Sequence, residues 1–399
     1  MNTEGKSIWI GVLLSVFILL PGTSGYAAEV RGITDTTIKV GTIGDLTGPV
    51  AGVWVPAAGS LKDYFNYVKE MGGIHGRNIV NVMEDDRYSI PLALSSFKKL
   101  VFRDRVLLVF GASGVGHTHS IIPLAQKNNV PMIAATNDGK FFDPVIRQVF
   151  TPLPFYEDQL KLIFEYIFKD MNAKNPTIAL AYPDTGSGNI SRDTCREAVK
   201  RYQVKDFIEV IISAGAGDFT SQILALKRSK PDYVIIHGYI GSTSALLRDA
   251  YKFNLKSNFI AIQYACVDDT IKIAGVAAKG LIGTNCFSSW NDVSPGIERM
   301  RKIVKKYHPA TKWMNRNYVN GWFASMLIHK GLENAGRNLS PEAFIKGLEK
   351  IQNFDTKGIC GVISFGPDDH KSIDYSRFYK VDLEKNQFVP ITDWRKPKE

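Results

Sequence analysis

The stretch 106–136, VLLVFGASGVGHTHSIIPLAQKNNVPMIAAT, leaves a chain like this few ways to fold. Residues 106–110 are a short apolar run, the signature of a strand buried on both faces. A glycine-rich turn, 111–116, follows. The spacing then predicts a helix over about 118–127, stopped by Asn128-Asn129, and a second strand over 130–135. This is a βαβ unit whose glycine loop feeds a helix N-terminus. Backbone N–H groups there point outward from the carboxyl end of the strand, where open parallel sheets bind their ligands.

The pattern repeats on both sides. Strands are expected at 38–43 and 79–83, with helices at about 55–71 and from Ser89-Pro91 onward. The segment 148–154, with Pro152 and Pro154, has no helical period and reads as a crossover. A second alternating series follows, with strands at 177–182, 207–212, 233–237, 259–262 and 280–287. Helices at 297–307 and 318–335 are expected to return to the first unit. Short strands close the chain at 362–365, 378–383 and 388–391. The fold class is therefore α/β, with two doubly wound lobes on parallel central sheets.

Residues 1–28 read as a removable leader. Lys6 precedes an unbroken apolar run, 8–20, that is too short to span a bilayer comfortably, and Gly25-Tyr26-Ala27 offers a cleavage site. No cysteine follows the run, so a lipid anchor is not expected and the mature chain should be soluble and exported, into an oxidising compartment. Such a compartment permits disulfides among Cys195, Cys266, Cys286 and Cys360, but three pairings are open.

Several chemistries are missing. The net charge is +10, but the basic residues are scattered and not interleaved with aromatics, so no nucleic-acid partner is expected. The loop 111–116 is GxxGxG, the wrong order for a dinucleotide fingerprint, and no GxxxxGK[ST] occurs. Neither Ser113 nor Ser187 completes GxSxG. His117 and His119, two residues apart on a helix, diverge too far to chelate a metal. Asp85-Asp86 suit turn formation better than acid–base work. No catalytic residue, cofactor or metal is expected.

Six segments taken in order carry a resemblance: VGTIGDLTGP (40–49), GGIHGRNI (72–79), VMEDDRY (82–88), GDFTSQILALK (217–227), YVIIHGYIGSTSALLRDAYKFNL (233–255) and GVISFGPDDH (361–370). The chain resembles the branched-chain amino-acid class of periplasmic substrate-binding proteins of ATP-binding-cassette transporters. The resemblance implies a type I architecture with three crossovers, lobe 1 being 29–152 plus 286–357 and lobe 2 being 153–285 plus 358–399. It also implies a small molecule held in the cleft without conversion, hinge closure near residues 151–154 and the two later crossings, a membrane permease as partner, and a monomer. A sensory protein of the same fold is the alternative.

Carried over position by position, the resemblance points to ten ligand contacts. The loop after the third strand supplies Val115, where the family has a hydroxyl, and Gly116 within the N–H groups of 114–117. The next loop supplies Thr136, Asn137 and Asp138. In lobe 2, Ser187 stands at the position of the family's aromatic wall with Tyr182 just before it, Tyr239 keeps an aromatic, and Gln263 stands where an acid would meet an α-ammonium group. Trp54 matches an aromatic wall in lobe 1. An enclosed ammonium without a compensating anion is costly. Gln263 therefore predicts an uncharged or anionic solute, an aromatic or aliphatic carboxylate, in preference to leucine, isoleucine or valine. Asp268 or Asp269 replaces the missing acid only if its loop is shifted.

Overall fold

The computed structural model describes residues 30–135 and 138–398, together with Met1 and Gly5. Apart from those two positions, the expected leader lies outside the described residues, as do Thr136 and Asn137. The first half alternates as expected: β1 (Thr37–Gly44), α1 (Ala51–Glu70), β2 (Asn78–Asp85), α2 (Ile90–Lys98), β3 (Leu108–Gly111), α3 (Val115–Lys127), β4 (Met132–Ile133) and β5 (Val149–Phe150). These strands form one parallel sheet in the order β2-β1-β3-β4-β5. The segment read as a plain crossover thus also supplies the sheet's last strand.

The second half contains α4 (Tyr156–Glu165), β6 (Thr177–Tyr182), α5 (Gly186–Arg201), β7 (Asp206–Ile211), α6 (Thr220–Ser229), β8 (Tyr233–Ile236), α7 (Ile240–Lys252), β9 (Asn258–Ala261), α8 (Asp268–Ala274) and β10 (Ile282–Asn285). Three helices then follow: α9 (Pro295–Tyr307), α10 (Arg316–Ala335) and α11 (Pro341–Glu349). A small hairpin, β11 (Phe354–Asp355) and β12 (Val362–Ile363), precedes β13 (Arg377–Asp382) and β14 (Gln387–Pro390). The second sheet runs β14-β13-β10-β9-β8-β6-β7. Its five strands from β10 to the edge strand β7 are parallel, but β13 and β14 are antiparallel, so this sheet is mixed at one edge. A terminal hairpin needs no crossover helix, which permits that arrangement.

Helix α1 runs four residues further back than expected and passes through Pro56. Proline removes the N–H that would bond Gly52 O. The carboxamide of Asn317, from α10, donates to Gly52 O at 3.4 Å and replaces it. The three connections between the halves are tied together. Thr151 N donates to His370 O at 3.0 Å, and Ser372 N returns to Thr151 O at 3.2 Å. Ser288 N donates to Ile359 O at 2.9 Å. Among the described residues no helix is long and apolar enough to cross a membrane. All four cysteines are buried free thiols, including Cys266 and Cys286, the pair nearest in sequence.

Candidate functional site

Two buried carboxylates shape the loops that face the second half. Asp45, after β1, accepts from the N–H groups of Gly48 (2.5 Å) and Val50 (2.7 Å) and so fixes the start of α1. Burial raises its carboxyl above the usual range, the two N–H groups oppose this, and the nearby Asp86 and Asp85 add to the rise. Asp86, after β2, accepts from Ser113 Oγ (2.5 Å), Ser113 N (3.2 Å) and Tyr88 N (3.0 Å). The expected turn-forming role of Asp85-Asp86 is the one observed, and Asp86 also anchors the glycine loop.

These loops bring Trp54 to the carboxyl end of the sheet. Its indole lies 5.8 Å from the Phe110 ring. It fits because β1 and β3 end in glycine. A methyl group on Gly44 would lie 2.8 Å from Trp54 Cδ2 and nearer still to Cε3, and one on Gly111 would be 3.2 Å from Cη2. Val50, Val53, Ala57 and Phe110 continue this wall, joined by Ser113, Gly114 and Ala135.

The opposite wall is tyrosine. Tyr156, Tyr239 and Tyr264 stand at the start of α4, before α7 and after β9. The Tyr239 ring is 5.9 Å from that of Tyr264. Tyr156 stacks at 4.7 Å on His237, whose Nδ1 is 2.6 Å from Ser191 Oγ. Burial pushes all three phenols upward, so they stay neutral. Leu153 and Asn320 close the ends. About 470 Å3 of atom-free space, part of it open to solvent, lies between and in front of the walls. Among the described residues, none that lines the cavity carries an ionisable carboxyl, amine or guanidinium group.

The halves meet directly at the mouth. The hydroxyls of Tyr88 and Tyr239 are 2.9 Å apart, and Ser187 also hydrogen-bonds Tyr239. Gly186 packs on Val115, 3.4 Å from Cγ1 to a built methyl position. The Tyr88 ring rests 4.9 Å from that of His117, whose Nε2 is buried without a partner. Desolvation lowers the His117 pKa, with Asp86 opposing.

Of the sequence candidates, Trp54 and Tyr239 line the cavity. Val115 and Ser187 sit at the closing contact, and Gly116 backs onto Ile90. Tyr182 is buried against Gly188. Asp138 is buried, with Oδ2 3.1 Å from His119 Nε2 and Oδ1 accepting from Lys140 N. Gln263 lines a smaller chamber behind Tyr264. Thr136 and Asn137 lie outside the described residues. The shifted-loop alternative has no support: Asp268 accepts from Trp313 Nε1 and Phe388 N, and Asp269 from Asn315 Nδ2. Sequence reasoning did not single out Tyr156, Tyr264, Ser113 or Asn320. Tyr156 and Tyr264 follow a proline pair and a strand end, a signal it could have used. Among the described residues no group of three His, Cys, Asp or Glu is placed to hold a metal.

The carboxyl ends of the two sheets face one cavity, and comparison with known proteins shows the family to which this arrangement belongs. The "Leu/Ile/Val-binding protein homolog 3" of Brucella melitensis is 21% identical over 320 residues, covering 80% of this chain and 85% of the relative. A branched chain amino acid ABC transporter protein from Thermus thermophilus, solved with bound valine, superposes with a TM-score of 0.84 at 22% identity, covering 91% of this chain and 97% of its own. A solute binding protein of an ABC transporter from Rhodopseudomonas palustris BisB5, solved with 3,4-dihydroxy benzoic acid, gives 0.78 at 18% identity, covering 91% and 98%. These relatives are solute-binding proteins, not enzymes. The family model described as "Periplasmic binding protein" matches residues 37–387, and the chain belongs to that family.

Proposed function

We propose that the protein is the periplasmic receptor of an ATP-binding-cassette importer and carries an uncharged or anionic solute with an aromatic or aliphatic body. One observation supports the ligand class: the cleft cavity is walled by Trp54, Phe110 and three neutral tyrosines, with no carboxylate for an α-ammonium group. An amino acid enclosed there loses the water around its cation and gains no anion in return. Flat apolar walls with hydroxyls at their edges suit an aromatic or aliphatic acid. The R. palustris neighbour with its dihydroxybenzoic acid is consistent with this use of the fold. The leader 1–28, the lobe limits 29–152 plus 286–357 and 153–285 plus 358–399, the monomeric state and the permease partner belong to the same proposal.

A thermal-shift screen followed by calorimetry tests it. Aromatic and short-chain acids should raise the apparent Tm by linkage, and leucine, isoleucine and valine should not. Binding of any of those three with Kd below about 1 μM, equivalent to about −8 kcal/mol, refutes the ligand class.

A further inference from the structure

Behind the cleft cavity lies a second, smaller chamber that shares Tyr264 and Asn320 with it. Its other walls include Gln263, Phe287 and, from the first turn of α10, Arg316 and Asn317. About 200 Å3 of atom-free space, part of it open to solvent, lies in and around it. That suits one small polar group and not the body of a solute.

The Arg316 side chain is nearly inaccessible, at 4% exposure. Its Nη1 donates to Cys266 O at 2.7 Å. Its Nε and Nη2 are buried and have no partner. The guanidinium carbon is 4.1 Å from the Tyr379 ring centroid. That cation–π contact offsets only part of the cost of burying a charge. The two nearby acids are engaged elsewhere. Asp268 accepts from Trp313 and Phe388, and Asp292 from Arg377, at 2.6 Å, and from Ser289. The Gln263 carboxamide oxygen faces Cys286 Sγ at 3.7 Å, and Asn285 is spent on the carbonyls of Gln263 and Cys266. Asp268 and Asp292 stabilise the guanidinium charge through space, but neither hydrogen-bonds it, and two of its N–H edges stay unpaired. Nε and Nη2 form the side-on fork of a guanidinium, which matches the two oxygens of a carboxylate.

Resting on the reading that the cleft binds a solute, we infer that this chamber is the ligand's carboxylate subsite. The acid group passes between Tyr264 and Asn320 and accepts from Arg316 Nε and Nη2, while its apolar body stays between Trp54 and Tyr239. The glycine loop before α3 is a poor place for the same group, because the buried Asp86 already takes the Ser113 N–H and hydroxyl and would repel a second anion.

The test has two arms. Acetate, small enough for the chamber alone, is titrated into 15N-labelled mature protein while the Arg316 Nε–H resonance is followed, assigned by its loss in Arg316→Lys. A saturable shift is expected, and an unmoved resonance overturns the proposal. Benzoate, 3-phenylpropionate and hexanoate are then compared with their primary amides by calorimetry, on wild type, Arg316→Met and Arg316→Lys. In wild type an acid should bind at least about 100-fold tighter than its amide. The preference should vanish in Arg316→Met and return in part in Arg316→Lys, which keeps the charge but not the fork. Because Arg316→Met leaves Cys266 O without its donor and takes a cation away from Asp268 and Asp292, its folding is checked by circular dichroism before titration, and Arg316→Lys, which keeps the charge, is the companion variant. Equal acid affinity in wild type and folded Arg316→Met overturns the subsite while leaving a carboxylate receptor intact. Tight leucine binding that ignores Arg316 overturns both. If no compound in the calorimetric panel binds, the acetate arm alone decides the subsite.

Discussion

The hydroxyl pair Tyr88–Tyr239 joins the two halves across the mouth of the cleft, and Tyr88→Phe removes one oxygen from it. The ring stays, with its contact to His117 at 4.9 Å, so packing is preserved. Tyr239 is not orphaned, because Ser187 still hydrogen-bonds it. The Tyr88 hydroxyl also meets Thr185, which keeps its bond to Ser187. The loss is therefore the net value of up to two hydrogen bonds, about 1–2 kcal/mol, without the larger penalty of a stranded buried group. Both bonds join the two halves, so the whole amount falls on the closed state. If the ligand binds the closed form, Kd rises about five- to thirty-fold. Calorimetry with the best ligand from the screen measures this directly. Small-angle scattering supplies the mechanism: the ligand-saturated variant should compact as wild type does. An unchanged Kd refutes the latch. A loss beyond about 100-fold means that Tyr88 touches the ligand instead.

Two further outcomes follow from neighbouring contacts. His237 is fully buried, and desolvation lowers its pKa to about 3; the unfolded chain therefore binds the extra proton first, and stability present above about pH 6.5 declines as pH falls toward 3. The expected difference is about 2 kcal/mol at pH 5, read as the denaturation free energy of wild type minus that of His237→Gln across pH; a pH-independent difference contradicts it. Gly44→Ala drives a methyl group into the Trp54 indole, which should cost about 1–3 kcal/mol of stability by urea denaturation and weaken ligand binding; wild-type values for both would show that the indole has room to move.

The fold was legible because buried parallel strands and amphipathic helices write different periods, and the chain alternates them cleanly. What escaped was set by contacts distant in sequence. Residues 149–150 are too few to carry a strand signal, and they form β5 only because Met132 and Ile133 offer an edge. The start of α1 was hidden because Pro56 is tolerated only with Asn317 bonding Gly52 O, and Asn317 lies 265 residues away. The terminal hairpin was visible as strands, but its antiparallel pairing depends on β10 lying beside it.

The candidate cavity takes in only part of the predicted contact set, for a reason that bears on ligand choice. Position-by-position transfer finds residues whose backbone location persists, and Trp54 and Tyr239 reached the cavity that way. It also assumes that each side chain keeps its direction. Gln263 stands in the expected stretch but faces Cys286 and the chamber behind Tyr264, leaving Tyr264 to form the wall. An acid replaced by an amide at an unchanged location would have meant a lost ammonium partner and nothing more. Gln263 lies beside the unpartnered Nε and Nη2 of Arg316. Among the described residues the cavity lining holds no carboxylate, and a guanidinium stands in the adjoining chamber. A zwitterion would be mismatched at its ammonium, whereas a simple acid has one charge to place and one guanidinium to receive it.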